Sequence, residues 1–318
     1  MKNGVVCISL DFEKFWGLHD LVPQVQVNKF KEVSTIVNRL LDLFEQYNIH
    51  CTWATVGLLS FKNIEELEAI TSTIKIQYSN ALHTPYPISK HSITESNSTS
   101  FFALNEINKI KGTSGQEFAS HTFSHYYCLE TGQTAQDFEN DLLLFEKHAG
   151  QVKSIVFPRN QVNINYLKLC AERGIKAYRG NQQQWFWSNS TVNNESIFKK
   201  ISRTADAYIK LRKNQFTSWK SIEKNANDLV NIPANRFLRP YKSPLFLEKL
   251  KMRRLKKELL SAAKSEQIYH LWWHPHNFTD YMEENFQQLE LLLQYINELR
   301  SKFGFESLNM NEILQKVD

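Results

Sequence analysis

The sequence predicts an α/β protein, a parallel βα barrel built by the whole chain as one domain, residues 1–318. Short apolar segments rich in β-branched residues alternate with amphipathic segments, the βαβ rhythm of a parallel sheet. Segment after segment also delivers a chemically useful residue to its C-terminal end: Asp11 and Glu13, then His121 and His125, then Arg159, then His274. Active sites of parallel βα barrels gather at that face. No linker and no internal repeat divides the chain.

Residues 4–10 (Gly-Val-Val-Cys-Ile-Ser-Leu) read as a strand buried on both faces. On an extended backbone Asp11 and Glu13 point the same way, and Phe15, Trp16 and Gly17 read as a pocket lining rather than a helix start. Residues 28–47 carry Phe30, Val33, Ile36, Val37, Leu40, Leu41 and Phe44 at helical spacing, with Asn28 as cap. Residues 50–56 form a second strand closed by Gly57, and 64–73 a second helix. The polar stretch 76–99, with Pro85 and Pro87, reads as a loop insertion whose His83 and His91 lie at the surface.

A helix at 105–110 leads to the strand bearing the histidine pair, and a helix at 134–148 follows. The strand at 154–157 delivers Arg159; a helix at 165–173 is stopped by Gly174, and the strand at 175–178 ends at Arg179. Residues 182–224 break the rhythm, with Trp185, Phe186, Trp187, Phe216 and Trp219 among Asn, Gln and Ser. These aromatics form either a sugar-stacking surface or the packing of an insertion. A strand at 229–232 precedes a basic amphipathic helix at 245–264, which has either a solvated face or one lying on anionic lipid head groups. The strand at 267–273 delivers His274, and helices at 280–302 and 309–316 end the chain.

The net charge of +5, from 38 basic and 33 acidic residues, is mild, and no nucleic-acid motif accompanies it. Cys7, Cys51, Cys128 and Cys170 are far apart, as in a reduced protein rather than a disulfide framework or a zinc knot. The N-terminal strand meets Asp11 too soon to be a signal peptide, and no apolar run approaches membrane-spanning length. A cytoplasmic protein is expected.

Two imidazoles four residues apart, His121 and His125, lie on one face if the segment is a helical turn. Among ten histidines such a pair arises by chance too, and two surface or capping histidines are the alternative. With one carboxylate they make a facial site for a divalent metal with open positions for water and a substrate oxygen. A metal there acidifies water and polarises a carbonyl. The remaining carboxylate serves as general base, a histidine on the opposite wall as general acid, and Arg159 holds the base ionised. These parts suit hydrolysis of an amide.

At these residues the sequence resembles the polysaccharide deacetylase family, the NodB-homology or carbohydrate esterase 4 group, whose domain is a deformed (β/α) barrel carrying a divalent metal. Asp11-Phe12-Glu13 resembles its first motif in a D-x-E form, a spaced pair standing where the family has adjacent aspartates. His121-Thr122-Phe123-Ser124-His125 matches its H-[ST]-x-x-H motif. Residues 51–57 resemble its A-T-F-F-x-x-G strand, 157–161 an altered third motif, and Leu271-Trp272-Trp273-His274 its last. The resemblance implies Asp11 as base, Glu13, His121 and His125 as metal ligands, Arg159 as the arginine positioning the base, and His274 as acid, with His270 and His276 as rivals. It covers most of the chain apart from the insertions at 76–99 and 182–224. Zinc is the foremost metal; cobalt, nickel, manganese and iron also suit the ligand set.

The implied substrate is an N-acetylated or N-formylated amino sugar or glycan intermediate of surface polysaccharide assembly, on a nucleotide or lipid carrier. Peripheral membrane contact fits such a role. A C–N hydrolase acting on a non-sugar amide and a catalytically inactive glycan-binding barrel are the alternatives.

Overall fold

The computed structural model describes residues 2–21, 27–182, 185–187, 191, 196–209, 216–242 and 244–317, so the insertion at 182–224 falls partly outside the described residues. The first half of the chain runs β1 (Val5–Phe12), α1 (Val33–Gln46), β2 (Cys51–Thr55), α2 (Ile64–Thr71), α3 (Leu104–Gly112), β3 (Gln116–Ser120), α4 (Ala135–Ala149) and β4 (Ser154–Ile155). The second half runs α5 (Leu167–Glu172), β5 (Ala177–Tyr178), α6 (Ile197–Tyr208), β6 (Val230–Asn231), β7 (Arg236–Phe237), α7 (Leu245–Lys264), β8 (Ile268–Trp273), α8 (Met282–Phe303), β9 (Glu306–Ser307) and α9 (Met310–Val317).

The strands form one sheet in the order β6-β5-β4-β3-β2-β1-β8-β7, with β9 added to β1, and every ladder is parallel. The period of two along each strand sorts the residues between two layers. Val5, Cys7, Ala54, Val156, Ala177, Val230 and Ile268 pack together inside the curl. Val6, Ile8, Leu10, Phe12, Trp53, Leu271 and Trp273 face outward, into the layer covered by α1, α3, α7 and α8.

The sheet's two end strands, β6 and β7, are not laddered to each other among the described residues, yet only 232–235 join them. The Ala234 amide donates to the Gly180 carbonyl (2.9 Å) on one edge, and the next amide, Asn235, donates to the His270 carbonyl (2.8 Å) on the other. Consecutive α-carbons lie about 3.8 Å apart, so the edges are drawn together at this strap. This is the expected deformed (β/α) barrel, open along one seam.

Several local expectations are corrected. Residues 27–32 form a 3-10 turn, and the helix begins only at Val33. The insertion at 76–99 is a chain of short 3-10 turns packed over one end of the fold, and its His83 and His91 are buried, 4% and 6% exposed, rather than at the surface. His91 is held by the Pro85 carbonyl (Nε2, 2.7 Å) and by the rings of Phe15 and Trp16. Phe15 and Trp16 themselves line no pocket: both are buried, and the Trp16 indole donates to the Phe101 carbonyl at 2.8 Å. Beside them the buried Lys14 ammonium reaches the carbonyls of Thr99 and Phe102 (both 2.9 Å) and the Glu106 carboxylate (3.1 Å). The residue after Glu13 thereby fastens the cover to the barrel mouth.

Candidate metal and catalytic centre

The barrel's inward face changes character along β1: Val5 and Cys7 are apolar, Ser9 is a hydroxyl, and Asp11 and Glu13 are carboxylates. Strand β8 repeats the change, from Ile268 through His270 and Trp272 to His274 just past its end. The functional groups therefore emerge together at the C-terminal rim. Gly17 makes room for one of them, since a Cβ there would lie 2.1 Å from the Glu13 Cδ.

Glu13, His121 and His125 offer one ligand atom each within 4.8 Å of one another, and all three are buried. Glu13 Oε2 lies 3.3 Å from His121 Nε2 and 3.1 Å from His125 Nε2. His121 Nδ1 faces the Val156 carbonyl at 2.8 Å, which places its proton there and leaves Nε2 as a lone pair without a hydrogen-bond donor. A lone pair turned toward a carboxylate oxygen is repulsive unless a cation lies between them, so the three residues fit a divalent metal. Burial pushes His125 down to about 4, against the pull of Glu13. Burial would raise Glu13, but His274 first, and then the imidazoles of His121 and His125, hold it well below the usual carboxylate range.

The histidine pair does not sit on a helical turn. His121 follows β3 directly, and the chain then takes left-handed conformations at Thr122 (φ 62) and His125 (φ 58). Such backbone costs about 1–3 kcal/mol per residue and persists only where its surroundings enforce it. Here Asp141 of α4 accepts from the amides of Phe123 (2.6 Å) and Ser124 (3.0 Å) and from the Ser124 hydroxyl. The Gly57 and Leu58 amides grip the carbonyls of Thr122 and Phe123 at 3.0 Å each. A Cβ at Gly57 would meet Phe123 at 2.5 Å, so only glycine allows that approach.

Asp11 lies beside this triad and is gripped by Arg179, not Arg159. Arg179 Nη1 and Nη2 donate to its two oxygens at 2.7 and 2.8 Å, and the guanidinium stacks on Trp272 at 4.3 Å. Burial would raise Asp11, but Arg179, followed by His121 and His274, prevails and holds it below its ordinary value. Arg179 also donates to Ser9 Oγ (2.9 Å), which lies 2.9 Å from His270 Nε2. His270 Nδ1 faces the Ile232 carbonyl (3.1 Å), so it is the donor there, and Ser9 gives its proton to Nε2. Burial, with Arg179 next, pushes His270 down to about 3; it is a neutral support beneath the arginine, not a group at the rim.

Arg159 is turned away by left-handed backbone at itself (φ 52) and at Asn160 (φ 55). Its Nη2 binds both oxygens of Asp20 (2.8 and 2.7 Å), and its guanidinium lies over Tyr127 (4.7 Å), whose ring is 5.2 Å from His125. Arg159 thus flanks the centre on its His125 side. Asn160 accepts from Arg179 Nη2 at 3.1 Å.

His274 stands on the opposite wall, partly open to solvent, with Nε2 at 3.7 Å from Asp11 Oδ2 and 3.6 Å from Glu13 Oε1. Its Nδ1 faces Asn277 Oδ1 at 3.2 Å. His276 stacks on it at 5.0 Å, with Nδ1 3.9 Å from Glu13, and burial, followed by the charge of His274, lowers it to about 4. Arg179, Asp20 and Asp141 escape the sequence reading. Arg179 alone carried a signal, since it is the first residue beyond a strand, as His274 is.

No family model and no curated protein matches the chain. Among solved structures it is similar to a candidate polysaccharide deacetylase from Mycobacterium smegmatis (TM-score 0.61, 15% identity, covering 99% of this chain and 90% of that one). It is also similar to a branching enzyme from the hyperthermophilic archaeon Pyrococcus horikoshii (0.53, 11%, 99% and 70%) and to a candidate polysaccharide deacetylase from Pseudomonas aeruginosa (0.52, 12%, 98% and 89%). At these identities the likeness defines the class of fold, the NodB-type deformed barrel. Different chemistries share that fold, so the side chains must decide the activity.

Proposed function

We propose that the chain is a metal-dependent hydrolase of the polysaccharide deacetylase kind, removing an N-acetyl or N-formyl group from an amino sugar or glycan intermediate. The observation that carries this reading is the fork of Arg179 on Asp11 directly beside the Glu13–His121–His125 triad, with His274 facing both carboxylates. Glu13, His121 and His125 would hold the metal, zinc foremost. When bound, it would acidify water and polarise the acyl carbonyl.

The remaining steps belong to the chain. Asp11, kept ionised by Arg179, takes a proton from the attacking water. The fork on both oxygens fixes the carboxylate plane, which a single lysine contact would not do. His274, whose Nδ1 proton is held by Asn277, gives a proton from Nε2 to the departing amine. Asp141 keeps the histidine loop in its left-handed form and so keeps both imidazoles aimed at one point. Partners are N-acylated sugars on a nucleotide or lipid carrier, and the protein works in the cytoplasm. No helix among the described residues is long and apolar enough to cross a membrane.

The test is metal analysis of the purified protein with assay of acid released from N-acetyl and N-formyl amino sugars. About one divalent ion per chain and acid release from a sugar amide are expected. Metal-free protein after reconstitution, or acid released only from non-sugar amides, would sink the reading.

A further inference from the structure

Helix α6 is inverted. Its inward side carries Asp206, which Arg236 and Arg254 bind at 2.9 Å each, while Ile197, Phe198 and Ile201 point outward at 70%, 74% and 59% exposure. A helix covering a barrel normally buries its apolar face. Helix α7 repeats the theme where it meets α6. Tyr208 lies beside Glu248, and Arg254 reaches the carbonyls of Asp206 and Ile209, which places the end of α6 against the first half of α7. There Leu245 and Phe246 are 56% and 62% exposed, and Ile209, just past the end of α6, is 55% exposed.

The charges follow one sign. The acidic residues of the two helices, Asp206, Glu248 and Glu258, are all buried. The charges described as exposed or half-exposed along α7 are basic, with Lys249, Arg253 and Lys257 on one side of it. We infer that this face docks on an anionic lipid surface, the apolar side chains entering the head-group boundary and the basic ones meeting lipid phosphates. A second copy of the chain is the poorer occupant, because pairing two such faces would bring Lys249, Arg253 and Lys257 of each copy toward those of the other.

The face continues into the catalytic rim. The turn at 185–187 packs on α6, and Arg203 lies over the Trp187 ring at 5.2 Å. Trp187 meets Trp272 at 6.2 Å, and Trp272 meets His274 at 5.6 Å. A docked chain would thus hold its acid-bearing wall close to the bilayer, where a lipid-linked amide is presented. That substrate class rests on the hydrolase reading above; the docking does not.

The experiment is co-sedimentation of the full chain with equimolar phosphatidylglycerol–phosphatidylcholine vesicles and with phosphatidylcholine alone. Binding to the mixed vesicles, little to the neutral ones and release by salt are expected. Phe198→Glu with Ile201→Glu, and separately Lys249→Glu with Arg253→Glu, should each weaken binding at least about tenfold while circular dichroism stays unchanged. Failure of the wild type to bind mixed vesicles, or binding by both variants equal to that of the wild type, overturns the docking. A wild-type dimer that ignores vesicles and dissociates in the Phe198→Glu, Ile201→Glu variant assigns the face to a second copy and also overturns it. Glu13→Ala should bind vesicles as the wild type does, and a wild type that docks but hydrolyses no amide would remove only the catalytic reading.

Discussion

Two regions of this barrel bury charge, and they differ in what they leave unfinished. Beneath α6, Arg236 and Arg254 bind Asp206 and Glu258, with Tyr269 donating to Glu258 at 2.7 Å; among the described residues no buried polar atom of that group lacks a partner. At the rim, Arg179 grips both oxygens of Asp11, but Arg179 Nε, His121 Nε2, His125 Nδ1 and His276 Nδ1 have no hydrogen-bond partner among the described residues. A closed ionic cluster holds two elements together. An open one, with buried nitrogens left without partners around a gripped carboxylate, keeps bonding capacity in reserve. Unused bonding capacity separates a site from a staple better than charge density does.

The sharpest way to break this contrast is at Asp11. Asp11→Asn should lower hydrolysis by about 10²–10⁴ and leave the metal in place, whereas Glu13→Ala should lose the metal, both read by metal analysis beside turnover. Metal lost from Asp11→Asn and kept in Glu13→Ala would exchange the roles of the two carboxylates. In the closed cluster, Arg236→Met should cost about 3–5 kcal/mol in urea unfolding, since it strands buried carboxylates, yet leave metal content unchanged. A coupled loss of metal would mean that the two regions are not separate.

The two arginines can be told apart by pH. In Arg179→Met the lowering influence on Asp11 goes and burial prevails, so the acid limb of the pH–rate profile should move to higher pH; Arg159→Met should leave the limb in place. The smallest effect belongs to His91. Burial lowers it to about 4 in the folded chain, against an ordinary 6.5, so the unfolded chain takes up its proton first on acidification. Its contribution to stability is complete above about 6.5 and is lost as pH falls toward 4, with a slope of up to about 1.4 kcal/mol per pH unit. His91→Gln should flatten that part of a urea-midpoint series by about that amount.

Periodicity made the outer framework legible. The strands around Val5–Phe12, Cys51–Thr55 and Ile268–Trp273 and the helices of α1, α4 and α8 lie close to where apolar spacing places them. The two-residue strands β7 and β9 carry too little pattern to be seen, because neighbouring edges rather than their own sequence make them strands. The helix α6 escaped for the opposite reason: its apolar side faces outward within a polar stretch. At the centre, the side chains now gathered as Glu13, His121 and His125 were visible as types at strand ends. The exchange of Arg159 for Arg179 was not, since both follow short strands. What separates them is distance past the strand: Arg179 comes directly after β5 and inherits its inward direction, while Arg159 comes after a turn that redirects it.

The seam at 232–235 bears on how the chain assembles. The ladder partners of β1 are β2, β8 and the short β9, the last two more than 250 residues away. During synthesis Glu13, His121 and His125 all emerge well before β8, so the ligand set can form while one edge of β1 is still bare. That edge is a template for wrong pairing until β8 arrives and the strap ties the seam, which makes folding of the second half the slow, aggregation-exposed stage.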